Sequence, residues 1–225
     1  MIDTECNLAL AQSVGPYAGR NLSLSLVPQQ HADRESLEWF VRECFATVHH
    51  ADIRHFMPTL LALRDPHGAF CAAAGVRTAD SGALFLEQYL PQPIERVVSR
   101  LAGAPVERQQ IVEVGNLAAR SGGSARLIIV VMTWLLARRK LDWVVFTGAA
   151  SLINSFQRLG LNPLLLGDAD PQRLGAEQHR WGSYYAQRPQ VFAGSIRAGL
   201  AHLQVSGIAA RLGLPAFDME HSHAA

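Results

Sequence analysis

The chain has 225 residues, 49% of them hydrophobic and 17% charged, with 20 basic against 19 acidic side chains and a formal net charge of +1. That is enough apolar material for a sizeable core in one domain with a tail. The charge balance lacks the basic surplus of a nucleic-acid surface, so no nucleic-acid partner is expected.

The opening MIDTECNLALAQSVG carries two acids and no basic start, and its apolar content is too short for a secretory signal. LSLSLV (Leu22 to Val27) alternates strictly and predicts a first strand with one buried face. ADRESLEWFVRECFATVHH then places Leu37, Phe40, Val41, Cys44, Phe45 and Val48 at helical spacing, with Asp33, Arg34 and Glu35 in the first turn. TLLALRD and AFCAAAGVRTA, parted by the turn signal PHG, predict a hairpin whose second strand is weakened or bulged at Gly75. ALFLEQYL reads as a continuation of the β-rich section, stopped by Pro91 and Pro93, and Ile94 to Leu101 as a short helix. QQIVEVGNLAA is apolar on both faces and predicts a central strand.

Ala125 to Lys140 predicts a core helix capped by Ser124. Its most apolar part, Leu127 to Ala137, is well short of the roughly 20 residues that span a bilayer, so no transmembrane segment is expected. DWVVFTGAA reads as a buried strand, SLINSFQRLG as a helix closed by Gly160, and LNPLLLGDA as another strand. Residues 109–169 thus read β-α-β-α-β, a right-handed βαβ unit followed by a strand returning in either direction. The terminal FDMEHSHAA is small and polar and reads as a disordered tail.

Cys6, Cys44 and Cys71 are odd in number and scattered, which gives neither a disulfide framework nor a metal-ligand spacing; a reducing, cytoplasmic setting is the simplest reading. His49, His50 and His55 lie at the end of an amphipathic helix without an acid or thiol at ligand spacing, and His221 and His223 lie in the polar tail; both groups read as solvated, so no metal is expected. H-E-x-x-H, G-x-S-x-G and P-loop motifs are absent from the sequence.

Two features carry chemistry. Glu113 lies between Val112 and Val114 in a strand expected to be buried, where an unpaired carboxylate is costly; it needs an ion-pair partner, for which Arg77 on a neighbouring strand is the candidate, or a task as a base. Glu87 poses the same question. Directly after this strand, Gly122 and Gly123 allow close backbone approach at a helix N-terminus, while Arg120 and Arg126 stand where the helix dipole favours acids. A bound phosphate or pyrophosphate resolves that conflict; a flexible strand-to-helix connection is the bland alternative.

Arg120 to Ala125, R-x-x-G-x-A, resembles the acyl-CoA pyrophosphate loop of the GNAT acyltransferase superfamily, and NSFQRLGL (Asn154 to Leu161) resembles that superfamily's next helix. GVRTADSGALFLEQYL followed by VEVGNLA is similar to acyl-homoserine-lactone synthases, in which a G-x-x-R-like strand precedes an E-x-S-R strand. Here Gly115 and Asn116 replace the serine and arginine, a departure at the lactone-precursor site. LFLEQYL, IVEVGNLA, WVVFT and WGSYY together resemble the thermostable hemolysin family over roughly residues 20 to 200.

These resemblances imply an α/β (α+β) fold, GNAT-like, with a mixed, mostly antiparallel central sheet flanked by helices. Residues 1–20 would be an N-terminal extension, 21–200 the acyltransferase domain, and 201–225 a C-terminal helix and tail. The implied activity moves an acyl group from acyl-CoA or acyl carrier protein to a small-molecule amine. Glu113 would be the base, with Glu87, Tyr184 and Tyr185 as further catalytic groups, the tyrosines as proton donors to the leaving thiolate. Leu117, Ala118, Arg120, Gly122, Gly123, Ser124, Ala125, Arg126 and Asn154 would contact the donor, whose thioester oxygen is held by backbone N–H groups after a bulge at Gly115. Arg77, Asn116, Phe146 and Thr147 would contact the acceptor. The family name also raises a membrane-active hemolysin-type protein, and a catalytically inert acyl-binding relative is a third reading.

Overall fold

The structure is a computed structural model that describes residues 8–10 and 22–216. Within them the strands β1 (Leu8–Leu10), β2 (Leu22–Pro28), β3 (Thr59–Arg64), β4 (Phe70–Thr78), β5 (Ile111–Ala119), β6 (Trp143–Gly148), β7 (Leu164–Asp168) and β8 (Gln190–Ser195) form one sheet. Its order is β1-β2-β3-β4-β5-β6-β8-β7, antiparallel at every junction but the parallel β5–β6 pair. This is the GNAT-like mixed, mostly antiparallel arrangement.

Burial on both sides follows from the strand sequences. Leu60 and Ala62 of β3, Ala73 of β4 and Ala118 of β5 face α1 (Arg34–His49), which contributes Leu37, Phe40 and Val41. On the same side, Ile111, Val145, Val191 and Ala193 pack against Ile94 and Val98 of α2 (Ile94–Ala102). The alternate residues, among them Leu61, Leu63, Ala72, Val112, Val114 and Phe146, face α3 (Gly122–Arg138), α5 (Ile196–Val205) and α6 (Ile208–Arg211). Here α3 is buried along most of its length, as its apolar composition requires. The helix α4 (Ala150–Arg158) adds Phe156, stacked on Phe146 at 4.8 Å.

Four expectations change. LFLEQYL is no strand: Phe85–Tyr89 is a 3₁₀ turn, because its backbone donors are taken by carboxylates rather than by a ladder. The cap of α3 is Ser121, whose hydroxyl accepts from the Ser124 N–H at 3.1 Å, so the helix starts at Gly122 and not at Ala125. β8, a short strand containing Gly194 and running straight into α5, inserts between β6 and β7; β7 therefore runs parallel to β6 without pairing with it. The boundary expected at residue 200 falls inside α5, whose Leu200 and Leu203 belong to the main core. The helix α1 matches its periodicity, although Val48 is 62% exposed. The polar tail at 217–225 lies outside the described residues.

The β4–β5 ladder slips between Ala73 and Gly75, where Ala73 pairs with Ala118 but Gly75 pairs with Gly115. β5 thus carries one extra residue, a bulge at Asn116 and Leu117 that puts Asn116 in the left-handed region at φ 49°. Asn116 turns this conformation to use: its Oδ1 accepts from the Met57 N–H at 2.9 Å and its Nδ2 donates to the His55 carbonyl at 3.1 Å. Buried Arg34 holds the same loop from the other side, donating to the carbonyls of Met57 and Pro58. The Met57 side chain fills the space over both glycines. A Cβ on Gly75 would lie 2.6 Å from Met57 Cβ, and one on Gly115 2.7 Å from Met57 Cε.

Asn116→Ala removes both loop bonds and replaces a residue that tolerates the left-handed backbone better than alanine does. It is expected to lower the unfolding free energy by about 2 kcal/mol in denaturant titrations, with proteolysis first appearing in residues 51–58.

Candidate active site

The parallel β5–β6 pairing runs from Ile111 opposite Trp143 to Val114 opposite Phe146 and stops there, although β5 continues to Ala119 and β6 to Gly148. The strands splay at the bulge. A cavity of about 1110 Å³ occupies the opening and is lined from both faces of the sheet. On the α3 side its wall is apolar, with Ile129, Met132, Leu136, Leu152, Phe156 and Ile196. On the α1 side it is polar and aromatic, with Arg77, Glu113, Phe85, Trp181, Tyr184 and Tyr185.

Glu113 stands at the join. It is 3% exposed, and its two carboxylate oxygens accept the Phe85 and Leu86 N–H groups, each at 2.9 Å. Burial raises its pKa above the ordinary carboxylate value; the two N–H groups and the Arg77 charge oppose that shift, and Glu87 adds to it. Of the two readings of Glu113, the ion pair with Arg77 does not form. Arg77 is directly opposite Glu113 on the β4–β5 ladder, but its guanidinium donates to the Ala83 carbonyl at 3.3 Å.

Glu87 lies outside the cavity lining and does structural work. Its carboxylate accepts the Leu84 and Ile94 N–H groups and pairs with Arg108 at 2.7 Å, and Arg108 also binds Glu95 at 2.6 Å. Burial would raise the Glu87 pKa, but Arg108 and the backbone donors outweigh it and hold the group below its ordinary value. This cluster sets the turn that presents Phe85 and Leu86 to Glu113.

The aromatic wall comes from distant stretches. The segment Pro171–Trp181 and the turn Tyr184–Gln187 dock on the end of α1, where the Ser183 N–H donates to the His49 carbonyl at 2.7 Å and the Asp52 N–H to the Arg180 carbonyl at 2.7 Å. Trp181 and Tyr184 then meet Phe45 and His49, with the His49 ring edge-on to Tyr184 at 5.2 Å. Tyr185 shares a hydrogen bond with the Tyr89 hydroxyl. Burial raises the pKa of Tyr184 and Tyr185, and that of Tyr89 to about 12, so these phenols stay protonated through the neutral range. Burial also lowers the His49 pKa, contrary to the solvated reading of that residue. His50 is exposed, and His55 reaches Glu177 at 3.8 Å. Among the described residues no cluster of three or more His, Cys, Asp or Glu is arranged to hold a metal.

At the start of α3 the cavity is lined by Ser121, Gly122 and Ala125. Ser124 is fully buried, with its hydroxyl bonded to that of Ser121; Gly123 is not in the lining. Arg126 lies beside Gly122, whereas Arg120 turns toward Phe40, 5.7 Å from the ring centre. Neither arginine lines the cavity, since one projects along the helix and the other toward α1. Leu117, Asn116, Phe146 and Thr147 do line it; Ala118 faces α1 in the core, and Asn154 is exposed on α4. The sequence reading missed Met57, Phe45, Phe85, Trp181 and His49. Trp181 stood in the quoted WGSYY, and the glycines at 75 and 115 are the trace of Met57.

Three solved structures share this fold at low sequence identity. FeeM, an N-acyl amino acid synthase from uncultured soil microbes, superposes with a TM-score of 0.58 at 11% identity, covering 84% of this chain and 98% of its own. BjaI, a CoA-dependent acyl-homoserine lactone synthase solved with SAM and isopentyl-CoA, gives 0.56 at 11% identity over 85% and 89%. TofI in an apo form gives 0.53 at 14% identity over 80% and 95%. No curated protein matches the sequence. The family model described as thermostable hemolysin matches residues 27–200, most of the chain, and the chain belongs to that family.

Proposed function

We propose that the protein transfers an acyl group from a pantetheine thioester, acyl-CoA or acyl carrier protein, to an amine. The observation that carries this reading is the buried carboxylate at the join of an apolar and a polar chamber, one residue before the last paired position of two strands that then splay. An acyl chain suits the apolar side, which removes it from water. The acceptor suits the side of Glu113. The splay leaves room between them for the thioester, with β5 backbone beyond Val114 no longer engaged by β6.

In this arrangement Glu113 removes a proton from the acceptor ammonium, and the freed nitrogen lone pair forms a C–N bond at the thioester carbonyl. The tetrahedral intermediate collapses with cleavage of the C–S bond. A protonated phenol of the aromatic wall supplies the departing sulfur with a proton, the Glu113 proton restores the phenol, and the nitrogen releases its second proton to solvent; the products are an amide, a thiol and one proton. The N–H groups of Gly122 and Gly123 at the start of α3 offer a site for the donor's phosphates at the cavity edge. For the alternative of a membrane-active protein, no helix among the described residues is long and apolar enough to cross a membrane. Several of the structures of similar fold are of N-acyl amino acid and acyl-homoserine lactone synthases, which favours the enzymatic reading.

Glu113→Gln keeps an acceptor for at least one of the two N–H groups and removes the base. Turnover is expected to fall by about 10²- to 10⁴-fold with the fold retained, as read by steady-state thiol release and circular dichroism. The wild-type rate should climb as pH rises through a pKa above the ordinary 4.5 for a glutamate, because the carboxylate form is populated only above it. A rate already flat from pH 5 upward would rule out this titration as the controlling step.

Gly122→Val has space, since the nearest atom to an added Cβ is Arg126 Nη1 at 3.5 Å. It should change stability by less than about 1 kcal/mol. A tenfold or greater loss of coenzyme A affinity in calorimetry is the expected result.

A further inference from the structure

Resting on the acyl-transfer reading, the polar chamber holds an unusual set of incomplete partners. Arg77 and Glu113 are opposite one another on an antiparallel ladder, a relation that places Cβ atoms about 5 Å apart on one face. Opposite charges so placed ordinarily pair. Here Glu113 is turned to the Phe85 and Leu86 N–H groups and Arg77 to the Ala83 carbonyl, and among the described residues Arg77 has no carboxylate in ion-pair contact. The other arginines lining this end do: Arg54 binds Asp52 at 2.6 Å and Arg180 reaches Glu177 at 3.3 Å.

Two further polar atoms of the lining are also incomplete. Thr147 Oγ1 and His49 Nδ1 are shielded from solvent and have no hydrogen-bond partner among the described residues. Thr147 is two residues beyond Val145, the β6 partner of Glu113, and so lies on the Glu113 side of the sheet. Buried polar atoms of this kind ordinarily have a partner in the working state. An amine acceptor with only a hydrocarbon substituent would satisfy Glu113 and leave the guanidinium and the hydroxyl without one.

We propose that the acceptor is an α-amino acid, with its ammonium at Glu113, its carboxylate at Arg77 and its side chain against the wall of Phe85, Trp181 and Tyr184. A zwitterion one carbon across matches a cation and an anion on neighbouring strands that are not paired with each other. The guanidinium fork reads a carboxylate by two parallel hydrogen bonds, which an ammonium or an uncharged donor cannot reproduce. Thr147 Oγ1 and His49 Nδ1 supply further contacts to the polar head. The product is an N-acyl amino acid, a single-chain anionic amphiphile.

The test compares acceptors in pairs: each of the twenty amino acids against the amine that remains when its α-carboxyl group is removed, with acyl-CoA of several chain lengths and with acyl carrier protein as donors. Product is read by mass spectrometry and rate by thiol release. The wild type is expected to favour at least one amino acid over its paired amine by 100-fold or more in kcat/KM. In Arg77→Gln that ratio should fall at least tenfold, with Arg77→Lys between the two. Equal use of the paired amines by the wild type overturns the amino-acid assignment while acyl transfer itself stands, and this comparison requires no variant to fold. A ratio unchanged in a folded Arg77→Gln overturns the role of Arg77. Transfer to neither class with any donor overturns the acyl-transfer reading and this one with it.

Discussion

A carboxylate inside a sheet must be satisfied, and in this protein Glu113 is satisfied by two backbone N–H groups rather than by a cation. That choice organises the site. It fastens the 3₁₀ turn Phe85–Tyr89 to the central strand, which puts Phe85 and Tyr89 at the base of the aromatic wall. It also leaves the carboxylate only partly compensated, so burial still raises its pKa and makes it a stronger base than an ordinary glutamate. Had Arg77 closed an ion pair instead, the opposite shift would follow, and the arginine would be spent.

The second constraint is steric. Met57 lies over Gly75 and Gly115, which are opposite one another on β4 and β5, and Asn116 in its left-handed conformation secures the Met57 loop. The bulge that creates this arrangement is also where β5 parts from β6. A single irregularity thus bends the strand, opens the sheet and anchors the loop that closes one end of the cavity. The apolar and polar chambers follow from the alternation of the strands: Val112, Val114 and Phe146 look toward α3, while Glu113 and Val145 look toward α2 and the turn.

Much of this was legible in the sequence where the signal was local. The strict alternation of LSLSLV, the spacing of Leu37, Phe40 and Val41, and the apolar run of α3 each produced the expected element. A glutamate between two valines marked Glu113 as exceptional. Its partners were not legible, because they are main-chain groups 27 and 28 residues away, and a backbone N–H has no signature in a sequence. Gly75 and Gly115 were visible as a weakened or bulged strand, a bulge and a missing serine, and the β4–β5 register does slip beside them; the reason for them, the shape of Met57, was not visible. LFLEQYL looked like a strand by composition; the Arg108, Glu87 and Glu95 cluster that makes it a turn depends on tertiary contacts. QVFAGS, six residues with a glycine, gave too little periodicity to reveal a strand inserted between β6 and β7.

The two chambers divide the labour, with the reacting carbonyl beside Glu113 between them. A crystal structure of the protein with a thioether analogue of a long-chain acyl-CoA, in which the thioester oxygen is absent and transfer cannot occur, tests this division most directly. The alkyl chain is expected among Ile129, Met132, Leu152 and Phe156, the sulfur in the gap between β5 and β6, and the Glu113 side left open for the acceptor. An alkyl chain lying against Trp181 and Tyr184, or an analogue bound away from the gap, would contradict it.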